Sequence, residues 1–295
     1  MQQESESNVP AVTLLLVLSL IWGTSFILMK RGLVVFSAPE LGSLRVAAAS
    51  VFLVPLGLMK LRVLKGTHYW KLFASGLMGI FFPAFLFAFA QTRLSSSVTG
   101  ILNTLTPICT LVVGVLLFRQ RFRKQAIVGI VAGLVGSFLL ISANAGGRIG
   151  GVNAYALLVI VACVFYGTNL NFIKYRIADL DAITITSVSL MLIGPLAVVY
   201  LFGFTDFTSK MQSVQGAWQA FGYVVLLGFM STSLATILFN KLVKLSSPLF
   251  TSSVTYLIPI VAVFWGVIDG ERLFAGHLIG MAAIIGGVYL ANKKP

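Results

Sequence analysis

Two apolar stretches of this chain repeat one another. Trp22-Gly23-Thr24-Ser25-Phe26-Ile27-Leu28-Met29-Lys30 returns 144 residues later as Tyr166-Gly167-Thr168-Asn169-Leu170-Asn171-Phe172-Ile173-Lys174. Each copy lies in and just beyond an apolar run, and each run opens a series of five. Five crossings are an odd number, so the second series enters the membrane from the opposite side. The repeat therefore constrains the chain to two inverted copies of one helix bundle, an arrangement that places a binding site near the midplane between the copies.

Composition requires the membrane. Hydrophobic residues are 58% and charged residues 10% of the 295, against roughly 45–50% and about 25% in soluble domains. No soluble core of this size hides so much apolar surface, so lipid is the expected solvent. Ten candidate spans follow: 10–29, 39–59, 70–91, 95–118, 125–143, 152–173, 182–204, 218–239, 247–268 and 275–291. Each has around twenty residues, which at about 1.5 Å per residue crosses about 30 Å of hydrocarbon. The expected fold is an all-α integral membrane protein of ten transmembrane helices. It is built as two inverted five-helix repeats, residues 1–146 and 147–295. The breaks at 61–69 and 205–217 are too short for a soluble domain. The first span is expected to be retained. Glu4 and Glu6 precede it without Lys or Arg, and Lys30-Arg31 follow without a cleavage pattern, unlike a signal peptide.

Lys and Arg distribute unequally between alternate loops. One side carries Lys60, Arg62, Lys65, Lys71, Arg119, Arg121, Arg123, Lys124, Lys174, Arg176, Lys241, Lys244, Lys293 and Lys294, which is fourteen. The other carries Lys30, Arg31, Arg93, Arg148, Lys210 and Arg272, which is six. The positive-inside rule then puts both termini in the cytoplasm of a bacterial-type inner membrane. The net charge of +13 is read as topology signals facing anionic lipid, with no nucleic-acid partner.

Cys109 and Cys163 fall inside spans and read as small apolar residues. His68 and His277 lack a metal-ligand spacing. No phosphate-binding loop or nucleophile elbow is present, so neither enzyme activity nor a metal or cofactor is expected.

A second stretch repeats at an offset of 152: Ser95-Ser96-Ser97-Val98-Thr99 through Thr106-Pro107-Ile108 aligns with Ser247-Pro248-Leu249-Phe250-Thr251 through Ile258-Pro259-Ile260, and Gly114 with Gly266. Taken with the Trp-Gly-Thr-Ser-Phe…Lys of span 1, the Pro39…Arg45 opening of span 2, and Gly266, Gly270, Glu271 and Arg272 ending span 9, the chain resembles the EamA-type branch of the drug/metabolite transporter superfamily. The resemblance covers essentially the whole chain, and it rests on the order of these motifs. It implies a ten-helix exporter or exchanger of small metabolites with a cavity between the halves. In one place the pattern departs: Arg119 occupies the position matching Glu271, where the family usually has a second Glu.

Polar side chains within the spans mark the candidate site, because they are costly in lipid. Thr99, Asn103, Thr106 and Thr110 are spaced 4, 3 and 4 apart, one face of a continuous helix. Thr251 and Thr255 repeat the first two in span 9. For Thr99, Thr110 and Thr251, helix packing and a site are equal readings; Asn103 is assigned to a wet cavity, since a buried amide needs several partners. Pro107 and Pro259 are candidate hinges, each freeing a carbonyl one turn earlier for a donor on a solute. Trp22 with Ser25, and Tyr166 with Asn169, pair an aromatic ring with a hydrogen-bonding group, which suits an amphipathic organic solute. Phe85 is added from span 3, beside Phe89, Gln91, Thr232, Thr236 and Asn240 of spans 3 and 8. Asn171 is left to packing. Arg45 is expected to snorkel outward and tie helix ends, with Glu40 as partner, in preference to meeting a substrate carboxylate. Asp269 and Glu271 are expected to form a structural ion pair with Arg272.

The expected function is export or exchange of a small polar or amphipathic metabolite, amino acids being the leading class, by a monomer working through alternating access. No Asp or Glu lies at mid-span, so transport down the solute's own gradient is expected without proton coupling. A membrane scaffold or receptor would need a polar surface or large loop, and a channel would need charge rings or a carbonyl filter; none of these is visible.

Overall fold

The structure, a computed structural model, describes residues 9–94, 96–121, 124–144, 154–268 and 275–292. Asp269, Glu271 and Arg272 lie outside the described residues. Among the described residues every regular element is helical. Six stretches are long and apolar enough to cross a bilayer: Ala11–Gly32, Ala38–Val63, Gly66–Gln91, Ala156–Arg176, Ala182–Gly203 and Ala217–Leu245. Shorter apolar helical stretches at Thr106–Phe118, Ile127–Gly136, Pro248–Val261 and Leu278–Gly287 occupy the fourth, fifth, ninth and tenth expected positions.

Two of the expected spans are interrupted. In the fourth, α5 (Ser96–Asn103) stops, Thr104 and Leu105 turn, and α6 (Thr106–Phe118) begins. Pro107 has no N–H for the Asn103 carbonyl, so the helix cannot run on without an orphan acceptor. The Thr106 hydroxyl takes that carbonyl at 2.7 Å, and the Leu105 N–H bonds the Leu102 carbonyl at 3.1 Å. The freed carbonyl is thus capped from within the chain. In the ninth, α13 (Pro248–Ser252) is separated from α14 (Val254–Ile268) at Ser253, whereas Pro259 sits inside α14. The Ser253 and Thr255 hydroxyls close this break on the Phe250 and Ser252 carbonyls, at 2.6 and 2.9 Å.

Two other spans change register. The third runs α3 (Gly66–Gly76), a π-helical segment π1 (Leu77–Phe81) and α4 (Phe82–Gln91). Pro83 cannot donate to the Gly79 carbonyl four residues earlier, and a π register accommodates that gap. The eighth runs α11 (Ala217–Leu227), π2 (Gly228–Leu234) and α12 (Ala235–Leu245). Here the Ser233 hydroxyl reaches the Gly228 carbonyl at 3.2 Å and the Ala49 carbonyl at 2.9 Å. That bond ties the segment to α2 (Ala38–Lys60).

The remaining elements are α1 (Val9–Gly32), α7 (Lys124–Asn144), α8 (Ala156–Arg176), α9 (Ala182–Gly203), α10 (Phe207–Ser213) and α15 (Ala275–Asn292), with a 3₁₀ turn at Leu61–Val63 after α2. Their packing crosses between the halves. α6 lies against α8 and α14 against α1; α2 pairs with α9 and α7 with α15. The repeated glycines explain the first two contacts. A Cβ on Gly167 would sit 2.7 Å from the Thr110 nitrogen and 2.8 Å from the Cys109 carbonyl carbon. One on Gly23 would sit 2.6 Å from the Val261 Cβ. Small residues let helix backbones approach in lipid, where dispersion replaces the hydrophobic drive.

At one end of the bundle, polar groups close the turns. Asp181 caps α9 through the Thr184 N–H at 2.9 Å and pairs with Lys60 at 3.3 Å. His68 Nε2 meets Asp179 at 2.9 Å. Lys174 Nζ donates to the Ser246 carbonyl at 2.6 Å, and Lys244 Nζ to the Ala178 carbonyl at 2.7 Å. Partial burial pulls the Asp181 carboxyl up, but the Thr184 donors and the Lys60 ammonium outweigh it and hold the carboxyl below its ordinary value.

Two outcomes are expected. Gly167→Val drives a side chain into main-chain atoms that cannot move aside, so it lowers thermal stability by about 1–3 kcal/mol. Gly222→Ala, with nothing near its Cβ, leaves stability unchanged or slightly raised; detergent unfolding curves compare the two. Because the folded Asp181 carboxyl is depressed, its contribution is present above the ordinary carboxylate range and disappears as pH falls through the folded value. Asp181→Asn therefore flattens the acid limb of the stability profile below about pH 4, measured by melting temperature against pH.

Candidate functional site

The interrupted helices and the π segments converge on one cavity of about 950 Å³ of empty space, its mouth included. Both halves line it. α1 presents Trp22, Ser25, Phe26 and Met29, and α2 presents Arg45. The π1–α4 stretch adds Gly79, Ile80, Ala84 and Phe87, while α5 and α6 add Asn103 and Thr106 at their break. From the second half come Tyr166 and Asn169 of α8, Ser231 and Thr232 of π2, and Thr236, Phe239 and Asn240 of α12. Ser252, Thr255 and Ile258 follow, around the α13–α14 break.

The aromatic walls are fixed by their neighbours. Trp22 donates from Nε1 to the Ser231 carbonyl at 2.9 Å and meets Phe239 edge-on at 5.0 Å. That carbonyl lies in π2, so a residue placed in span 1 by sequence is locked to span 8. Tyr166 stacks with Phe87 at 6.0 Å. Polar groups sit between the rings. The Ser25 hydroxyl donates to the Trp22 carbonyl at 2.6 Å, and Asn169 Oδ1 accepts from Ser75 at 2.7 Å. Asn103 Oδ1 has a longer contact with Thr106 at 3.3 Å. Asn240 Nδ2 donates to Thr186 at 2.8 Å.

Of the residues singled out by sequence, Trp22, Ser25, Asn103, Thr106, Tyr166, Asn169 and Thr255 line the cavity. Thr99 and Thr251 are fully buried away from it, and Thr251 bonds Ser246 and the Ser247 carbonyl. Phe85 packs against Phe81 at 4.9 Å and Tyr200 at 5.9 Å, leaving Phe87 to face the cavity. Pro107 lies at the α5–α6 break and Pro259 within α14.

Arg45 departs from its expected outward path. It turns into the cavity, where Nε donates to Thr232 Oγ1 at 2.8 Å. Glu40 does not reach it. That carboxylate is spent on the Ser37 N–H and hydroxyl, at 2.7 and 2.8 Å, and on Lys210 at 2.6 Å. A capping carboxylate at the start of α2 with three donors of its own has no reason to leave them. Asn171 behaves as a packing residue. Its Nδ2 donates to the Thr110 and Gly167 carbonyls at 3.0 and 2.8 Å, and its Oδ1 accepts from Gln120.

These partners separate two kinds of buried amide. Asn171→Ala removes the tie between α8 and α6 and leaves the half-buried Gln120 amide without its acceptor, at an expected cost of about 1–3 kcal/mol of stability. Asn103→Ala is expected to weaken solute binding with a smaller stability loss. Melting temperature and solute affinity, measured on both variants, check the contrast.

Comparison with known proteins agrees on one class. The description of the EamA-like transporter family matches residues 9–142 and again residues 153–293. An uncharacterized transporter of Archaeoglobus fulgidus is 25% identical over 274 residues, covering 92% of this chain and 95% of the relative. The uncharacterized inner membrane transporter YedA of Escherichia coli K12 is 25% identical over 294 residues, covering 96% and 90%. The uncharacterized transporter YoaV of Bacillus subtilis is 22% identical over 280 residues, covering 92% and 93%. One solved crystal structure shares the fold at a TM-score of 0.73 and 18% identity, over 96% of both chains.

Proposed function

The chain belongs to the EamA-like transporter family, and from that premise we propose that it exports or exchanges a small polar or amphipathic metabolite by alternating access, acting as a monomer. One observation carries this reading: a single cavity is lined by both halves of the chain, at helix breaks in both. A carrier needs its site where two bodies can rock against each other, with broken helices supplying backbone that moves. Amino acids are the leading solute class, since rings and amides stand side by side.

The ten-span, inverted-repeat architecture is part of the proposal. The four shorter apolar helices complete ten crossings when added to the six long ones. The division into residues 1–146 and 147–295 is supported by the reciprocal contacts. α6 of the first half lies on α8, and α14 of the second lies on α1. Gly167 meets Cys109, while its counterpart Gly23 meets Val261, the counterpart of Cys109. A twofold relation between the halves produces this exchange of partners. The Lys and Arg count supports a cytoplasmic position for both termini. Among the described residues that line the cavity there is no Asp or Glu, which favours transport driven by the solute's own gradient.

A channel or a scaffold would make different use of the same cavity. In vesicles, preloaded solute is expected to accelerate entry of labelled solute. Flux without such counterflow would indicate a channel, and no saturable flux with any solute class would remove the carrier reading. For the topology, single cysteines at Gly66 and Lys124 are expected to react only from the cytoplasm and one at Arg148 only from outside. Labelling of Gly66 and Arg148 positions from one side would overturn the ten-span arrangement.

A further inference from the structure

Among the described residues lining the cavity, Arg45 is the one that carries a charge, and no carboxylate lines it. A cation in a membrane interior is costly and is normally paired. The acid nearest in sequence, Glu40, is committed to Ser37 and Lys210. Thr232 occupies Nε of the guanidinium at 2.8 Å. That bond fixes the plane of the group and leaves its two terminal nitrogens as a fork. No hydrogen bond from either terminal nitrogen is present among the described residues. Such a fork matches the two oxygens of a carboxylate.

A second observation comes from the neighbouring residue. Ser231 lines the same cavity and is 2% exposed, yet among the described residues its hydroxyl has no hydrogen-bond partner. An unpaired buried hydroxyl is rare and costly. It stands one residue from Thr232, which orients Arg45. Around this polar corner are the rings of Trp22, Tyr166, Phe87 and Phe239.

We propose that the solute is an organic monoanion with an apolar body, whose carboxylate docks on the Arg45 fork and whose apolar part lies among the rings. This rests on the carrier reading and replaces amino acids, its leading solute class, with acids that carry no ammonium. The cavity offers a counter-charge for a carboxylate and none for an ammonium. An acid is therefore favoured over the matching amino acid, and the amino acid over the matching amine. Thr232 is a positioning residue: it holds the guanidinium plane and need not touch the solute.

The test uses purified full-length protein and a series of matched ligands. Acids with phenyl, hexyl and octyl bodies are compared with their neutral amides, with phenylalanine, and with phenethylamine, by binding at pH 7. At least one acid is expected to bind about tenfold or more tightly than its amide, the difference a charge-assisted hydrogen bond supplies. Arg45→Gln is expected to erase that preference while amide binding persists. Thr232→Val is expected to reduce it while keeping the charge. If Arg45→Gln fails to fold, the wild-type acid-to-amide ratio and Thr232→Val decide. Equal binding of every acid and its amide, tighter binding of the amine, or an unchanged ratio in Arg45→Gln would overturn the proposal. Each of those results leaves saturable, counterflowing transport intact, so failure here is distinct from failure of the carrier reading.

Discussion

The structure depends on two close helix approaches, Gly23 against the Val261 side chain and Gly167 against the Cys109–Thr110 backbone. Each brings the first helix of one half against a broken helix of the other half, α1 on α14 and α8 on α6. A Cβ at either position would collide, so these contacts exist only because the side chain is a hydrogen atom. They set Trp22 and Tyr166, one residue earlier in each copy, on the wall of the cavity. They also bring the helix breaks near Asn103 and Ser252 to the same space.

The second governing constraint is that polar groups in hydrocarbon find partners or face water. It sorts the buried polar side chains into two sets. Asn171, Ser233 and Thr251 are consumed by carbonyls. Arg45 and Ser231 keep unused capacity and both line the cavity, while Gln91 Nε2, at the end of α4, is unpaired outside it. The breaks themselves obey the same rule. Hydroxyls of Thr106, Ser253 and Thr255 take the carbonyls that the interruptions release. The backbone is irregular there without being unsatisfied.

Much of this was legible in the sequence, and the rest was hidden for identifiable reasons. Apolar runs and their turns are strong signals, so the helical membrane class could be read directly. The spacing of the polar stripe in span 4 holds only on a continuous helix. The break between Asn103 and Thr106 invalidates its spacing, so Asn103 and Thr106 reach the cavity while Thr99 and Thr110 do not. Phe85 and Phe87 belong to the run Phe85-Leu86-Phe87-Ala88-Phe89, where aromatics alternate and no 3.6-residue period selects a face. Arg45 was placed by its distance from the span end, which gives depth but not direction; the helix face decides, and Thr232 is on it. The π segments leave no periodic signature, although Pro83 marks one of them after the fact.

The central claim is that this cavity opens alternately to the two sides of the membrane. It can be tested at Thr236, which lines the cavity, by placing a single cysteine there in a background lacking Cys109 and Cys163. Membrane-impermeant thiol reagents are then added from each side in turn. The account expects labelling from both sides, with each rate changed in opposite directions when solute is present on one side only. Labelling from one side alone, whatever the solute gradient, would contradict it.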